Sequence, residues 1–103
     1  MKIYLITDNE GLYKIGRSKN TQIRLKAVQT GNPRQLTLLH EVDVKNQKTE
    51  GVLHRRFASK CTSGEWFQLD SEDVQNFVHE CQKIDSQLSF LVENSTLGHL
   101  ISE

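Results

Sequence analysis

Cysteine and proline are scarce in this chain of 103 residues, which holds two of the first and one of the second. Cys61 and Cys81 make no CxxC pair, and no histidine stands at zinc-ligand spacing. Neither a disulfide framework nor a structural zinc site is indicated, and free thiols are expected. Long apolar runs are also missing. The stretch from Met1 to Asp8 is too short for a signal peptide, and nothing later approaches the roughly 18 apolar residues of a membrane span. A soluble, cytoplasmic protein is expected. There is no internal repeat and no low-complexity segment. The length suits one domain over residues 1–92, with a core at 3–70, a helix at 71–90, and a partly ordered tail at 93–103.

Net charge is absent too, at a formal zero, but the balance hides a division. Residues 1–60 hold twelve Lys or Arg against five acids, and residues 61–103 hold one against eight, giving +7 and −7. A basic first part suits an anionic partner, most simply nucleic acid, because clustered Lys and Arg neutralise phosphates and release counterions. The plainer reading is a solvated basic face.

The pattern of residues predicts an α+β fold. Ile3 to Thr7 is apolar and β-branched, Asp8-Asn9-Glu10-Gly11 supplies turn chemistry, and Leu12 to Gly16 returns, which reads as a β-hairpin. A helix follows over roughly Thr21 to Gln29, capped by Asn20 or Thr21 and stopped by Gly31-Asn32-Pro33. Leu36, Leu38, His40, Val42 and Val44 alternate with Thr37, Leu39, Glu41 and Asp43, the period of a third strand. Residues 47–58 read as a second helix. Gly64 to Leu69 reads as a short strand or edge segment after a turn at Thr62-Ser63-Gly64. From Ser71 the apolar set Val74, Phe77, Val78, Cys81, Ile84 and Leu88 repeats at helical spacing, with Glu72 and Asp73 in the first turn.

Two charges fall on faces that should be apolar. At about 100° per residue, Arg24 lies between Ala27 and Val28, and Glu50 shares a face with Leu53, His54 and Phe57. A buried carboxylate is costly unless it is paired, hydrogen-bonded or bound to a metal. Two readings stand, a functional site and a buried Arg24–Glu50 ion pair between helices. His54 follows Glu50 by one helical turn, which could bring both to one metal or phosphate, though a surface pair is the commoner cause. His40 on the apolar side of its strand is more often a core residue than a catalyst. Tyr4 suits strand packing, and Trp66 with Phe67 suits closing the core.

The order and spacing of Ile3-Tyr4, Tyr13-Lys14-Ile15-Gly16-Arg17-Ser18, Arg24, Gly31-Asn32-Pro33, Glu50-Gly51-Val52-Leu53-His54 and Gly64-Glu65-Trp66-Phe67 resemble the GIY-YIG nuclease superfamily. The closest likeness is to its small phage and bacterial branch, over about residues 3–70. Lys2 stands where the family has its first Gly, Lys14 stands where it has the Tyr of the second tripeptide, and its late Asn has no match.

The resemblance implies a small antiparallel sheet of three principal strands flanked by helices. It implies one-step hydrolysis of a DNA phosphodiester with one Mg²⁺ or Mn²⁺, in a bacterial or phage-infected cell. Tyr4 would be the general base or orient the attacking water, its phenolate favoured by the Lys14 ammonium. Arg24 would hold the phosphate and Glu50 would be the sole protein ligand of the metal. His54 and then His40 are further catalytic candidates, and Arg17, Lys19, Lys26 and Arg34 are candidate nucleic-acid contacts. RNA and branched DNA are alternative substrates, and a homodimer or an accessory recognition protein a further partner. Two other functions remain in view, a non-cleaving nucleic-acid-binding module and a protein-interaction or inhibitor subunit acting through the acidic C-terminal part.

Overall fold

Lys2–Thr7 (β1) and Tyr13–Ser18 (β2) form an antiparallel hairpin in which Tyr4 faces Gly16 and Leu5 faces Ile15. In this computed structural model, which describes residues 1–102 with side chains to Val92, the turn is made by Asp8. Its Oδ1 accepts from the N–H groups of Glu10 and Leu12 at 2.8 and 3.0 Å. Asn9 and Gly11 take φ of 63° and 96°, the left-handed region that Asn and Gly tolerate best.

Thr37–Asp43 (β3) pairs antiparallel with the other edge of β1. The register slips between Leu5, which faces His40, and Ile6, which faces Leu38, so Leu39 is an extra, bulged residue. An unbroken strand would put Leu36, Leu38, His40 and Val42 on one face. The bulge divides them: Leu36 and Leu38 pack with Tyr4 and Ile6, while Val42 and Val44 join Ile3, Leu5 and Ile15 on the opposite side.

Beyond β2 lie Trp66–Phe67 (β5) and then Cys61–Ser63 (β4), giving the strand order β3-β1-β2-β5-β4 with every pairing antiparallel. The sheet therefore has five strands rather than three principal ones. The difference comes from two strands of three and two residues, too short to show a period in sequence. Gly64, at φ 55°, turns one into the other.

Helices cover the two faces unequally. Thr21–Thr30 (α1), capped by the Asn20 side chain accepting from the Ile23 N–H at 3.1 Å, lays Leu25 and Val28 on the Tyr4 face. Thr49–Arg56 (α2) and Ser71–Ser102 (α3) cover the other face, where Leu53, Phe67, Phe77, Cys81 and Ile84 are buried together. Burial pushes the Cys81 thiol up to about 12, which keeps it protonated. The helix of α3 runs on through 93–102, and Glu103 lies outside the described residues. No helix among the described residues is long and apolar enough to cross a membrane.

One acid on α3 fixes the start of α2. The Asp85 carboxylate accepts from the backbone N–H groups of Lys45 and Asn46 at 2.9 and 2.8 Å, and from the hydroxyl of the buried Thr49 at 3.4 Å. That clamp sets where Glu50, the next residue, leaves the helix.

Candidate active site

Tyr4 is 1% exposed, on β1, which lies between β3 and β2 in the sheet. Its ring lies across Gly16, where a Cβ would come within 3.0 Å of Oη, Cζ and Cε1. Only a residue without a side chain leaves room for the ring. Arg24, on the α1 surface above, donates from Nε to Tyr4 Oη at 3.4 Å. That hydrogen bond and the charge of Tyr4 raise the pKa of the guanidinium above its ordinary value, and the carboxylates of Glu65 and Glu50 add to the effect. Arg24 is exposed, because α1 turns Thr21, Leu25 and Val28 inward and leaves Arg24 beside them. The expectation of an arginine on the apolar face is corrected accordingly.

Glu50 is half-buried on α2, and its partner is Arg17 of β2, Nε to Oε1 at 3.5 Å. Among the described residues no Arg24–Glu50 ion pair forms, so these helices are not bolted together by one. Burial raises the Glu50 pKa and the nearby Glu65 charge raises it further, while His54, Arg17 and Lys14 pull it down. One turn along, His54 Nε2 meets the Ile15 carbonyl at 2.8 Å. A carbonyl only accepts, so Nε2 carries a proton and Nδ1 is the nitrogen that can offer a lone pair.

Glu65 completes the group. Its backbone carbonyl accepts from the Ile15 N–H at 3.1 Å, and its side chain takes Lys14 Nζ at 2.9 Å. Lys14 Nζ also lies 5.8 Å from the centre of the Trp66 ring. Glu50, His54 and Glu65 each offer a donor atom within 4.8 Å of the others. Tyr4, Lys14, Arg24, Glu50 and His54 are thus gathered at the end of β2 where β5 stops. The ammonium of Lys14 is engaged by Glu65, and the phenol oxygen of Tyr4 by Arg24.

A family model, the T5orf172 domain, matches residues 1–82. The chain belongs to the T5orf172 domain family. No curated protein and no solved structure matches the chain. The T5orf172 assignment corrects the family read from the tripeptides, since it is a different family from the GIY-YIG nucleases. Two positions of those tripeptides depart from that pattern, Lys2 and Lys14. The part that holds, Gly16 across from Tyr4, is a packing need of this hairpin in its own right.

Elsewhere in this T5orf172 domain the sequence candidates separate. His40 is carried by the β3 bulge onto the α3 side of the sheet, where its ring stacks on Phe77 at 6.2 Å. It stands apart from Tyr4 and Arg24 and is corrected from catalyst to packing residue. Arg34 is held by the buried Asp8 at 3.1 Å and by Glu10 at 3.8 Å, so its charge is already answered. Lys19 and Lys26 stand exposed around α1, in no ion pair among the described residues. Glu65 had no role assigned from sequence. Its neighbours Gly64, Trp66 and Phe67 stand out as a motif, but only the β2–β5 pairing brings it to Glu50.

Proposed function

We propose that this T5orf172 domain is a metal-dependent endonuclease that hydrolyses DNA phosphodiester bonds. The observation that carries the reading is the Tyr4 hydroxyl held by Arg24 at 3.4 Å beside the carboxylates of Glu50 and Glu65. Membership of the family supports a nucleic-acid-related role. In this reading Arg24, exposed and fork-shaped, holds a phosphate and stabilises the charge gained in the transition state. Tyr4 Oη, kept in place by Gly16, orients the attacking water or, as the phenolate, takes its proton and becomes the phenol. His54, whose ring the Ile15 carbonyl orients at 2.8 Å, stands beside Glu50 one helical turn along.

The carboxylate of Glu50 suits Mg²⁺ or Mn²⁺, being a hard oxygen donor whose burial is costly without a cation. Such an ion, when bound, supplies Lewis-acid stabilisation of the phosphate oxygens. Cations in no ion pair among the described residues flank the site on both sides, Lys19 and Lys26 around α1 and Lys48 and Arg55 on or next to α2. DNA crossing the edge of β2 beyond Lys14, which β5 leaves unpaired, would meet both sets.

Plasmid and branched DNA incubated with Mg²⁺ or Mn²⁺ test the reading. Cleavage by the parent and none by the Arg24→Ala, Glu50→Ala double variant is expected. A double variant that cuts equally well, or no cleavage across varied substrates, overturns it. A second reading, a module that binds nucleic acid without cutting, is favoured by the Arg17–Glu50 pair, which satisfies Glu50 without a metal. It predicts salt-dependent binding that needs no metal and survives Glu50→Ala.

A further inference from the structure

We propose that Glu50, His54 and Glu65 together form a three-donor centre for a divalent transition-metal ion such as Mn²⁺, in preference to Mg²⁺. The inference deepens the reading above, in which Glu50 alone need hold the ion. Their donor atoms lie within 4.8 Å of one another. Ligands about 2.0–2.2 Å from one ion stand roughly 3 to 4.4 Å apart. At the 4.8 Å limit a trans pair must close by about 0.4 Å and a cis pair by roughly 1–2 Å, which side-chain torsions on a fixed backbone can supply.

Each of the three is positioned by something outside the group. Glu50 follows Thr49, which the Asp85 clamp holds. His54 is oriented by the Ile15 carbonyl at 2.8 Å, the kind of backbone partner that fixes the ring of a metal-ligating histidine. Glu65 is pinned at its carbonyl by the Ile15 N–H at 3.1 Å, one residue from the β2–β5 ladder. Ile15 thus aligns two of the three donors from its two backbone groups.

The donor chemistry sets the class of ion. Two carboxylates and a neutral imidazole carry a charge of about −2, matched by one divalent cation, and an imidazole nitrogen favours transition metals over Mg²⁺. Without an ion the same charge is answered by Arg17 on Glu50 at 3.5 Å and by Lys14 on Glu65 at 2.9 Å. Lys14, with a side chain only 12% exposed, is then the resident counter-ion that the metal displaces.

Titration of the full chain with Mn²⁺ in the absence of DNA, followed by electron paramagnetic resonance, tests this directly. A lone carboxylate binds weakly there, whereas three donors remove the free-ion signal and leave a nitrogen coupling on the bound Mn²⁺. His54→Gln is expected to abolish the nitrogen coupling, and Glu65→Gln to weaken binding about tenfold or more. Mg²⁺ is expected to compete at least about tenfold less well than Mn²⁺. Absence of nitrogen coupling in the parent overturns the proposal and needs no variant to be folded. So does a Glu65→Gln chain, with an unchanged melting temperature, that binds Mn²⁺ as tightly as the parent. Neither result touches DNA cleavage, so loss of the three-donor centre leaves the nuclease reading to its own test.

Discussion

A methyl group at Gly16 has nowhere to go, because a Cβ there would meet three atoms of the Tyr4 ring within 3.0 Å. Gly16→Ala must therefore push the phenol out of its place between β2 and Arg24. A loss of about 1–3 kcal/mol in chemical denaturation is expected, the usual cost of overpacking a filled core. Any DNA cleavage should fall with it, whereas Gly31→Ala, where a Cβ meets nothing within 4 Å, should leave both nearly unchanged. Glu50 carries the opposite trade. Its pKa is raised, chiefly by burial, so in the folded chain its charged form is disfavoured relative to the unfolded one. The penalty is absent below the ordinary carboxyl value of 4.5 and grows as pH rises through the raised value. Glu50→Gln is expected to stabilise the protein by about 0.5 kcal/mol at neutral pH, small because solvent screens a half-buried charge. The gain should vanish below pH 4.5 in a denaturation series, and a variant less stable than the parent at pH 7 would contradict it. The sequence makes the glycine and both charges conspicuous but not their partners. Arg24 meets Tyr4 rather than Glu50 because an ideal helical wheel cannot tell position 24 from position 25 as the inward one. Glu65 stays hidden because its role depends on a strand of two residues.

The elements divide along the same line between local pattern and tertiary pairing. The hairpin, the three helices and β3 are legible because turn chemistry, caps and periodicity are written locally, as with Asn20 before α1 and the acids Glu72 and Asp73 in the first turn of α3. Asp70 Oδ1 accepts from the Asp73 N–H at 2.8 Å, and Asp73 answers at the Asp70 N–H at 3.1 Å, a reciprocal cap. The bulge in β3 is not legible, since Leu36, Leu38, His40 and Val42 alternate whether or not one residue is looped out. Its consequence is large, because it sends His40 to Phe77 and away from the catalytic candidates. Leu39, 39% exposed, is the residue with no partner across the ladder. Deleting it would restore a regular pairing in which Leu38 still faces Ile6 and His40 still faces Leu5. Such a chain is expected to fold with stability within about 1 kcal/mol of the parent, the range of a change at an exposed site. Loss of the cooperative transition would instead show that the bend made by the bulge is needed to seat α1.

At the scale of the molecule, most acids of the last part of the chain ride on or just before α3, on the sheet face opposite α1. Glu80 of α3 takes Arg56 at 2.7 Å, and Asp73 takes Lys60, so the acidic helix neutralises cations at the end of α2 and just after it. It lies on the sheet face opposite α1 and, among the described residues, has no comparable hold on Lys19, Arg24 or Lys26. Shielding by the acidic helix is therefore local, and the α1 side keeps its positive field. If DNA is held there, replacing Lys19 and Lys26 together with alanine should weaken binding to unrelated sequences by a similar factor. Binding measured between about 50 and 200 mM salt should then follow a shallower line of log affinity against log salt, the slope falling by about 0.9 for each phosphate that is no longer neutralised. Lys83, the one Lys or Arg among residues 61–103, sits on the acidic helix and serves as the internal comparison. Its replacement should leave slope and affinity as they were. Equal effects from Lys83→Ala and from the α1 pair would mean that the field acts through net charge alone, and that α1 is not where the nucleic acid lies.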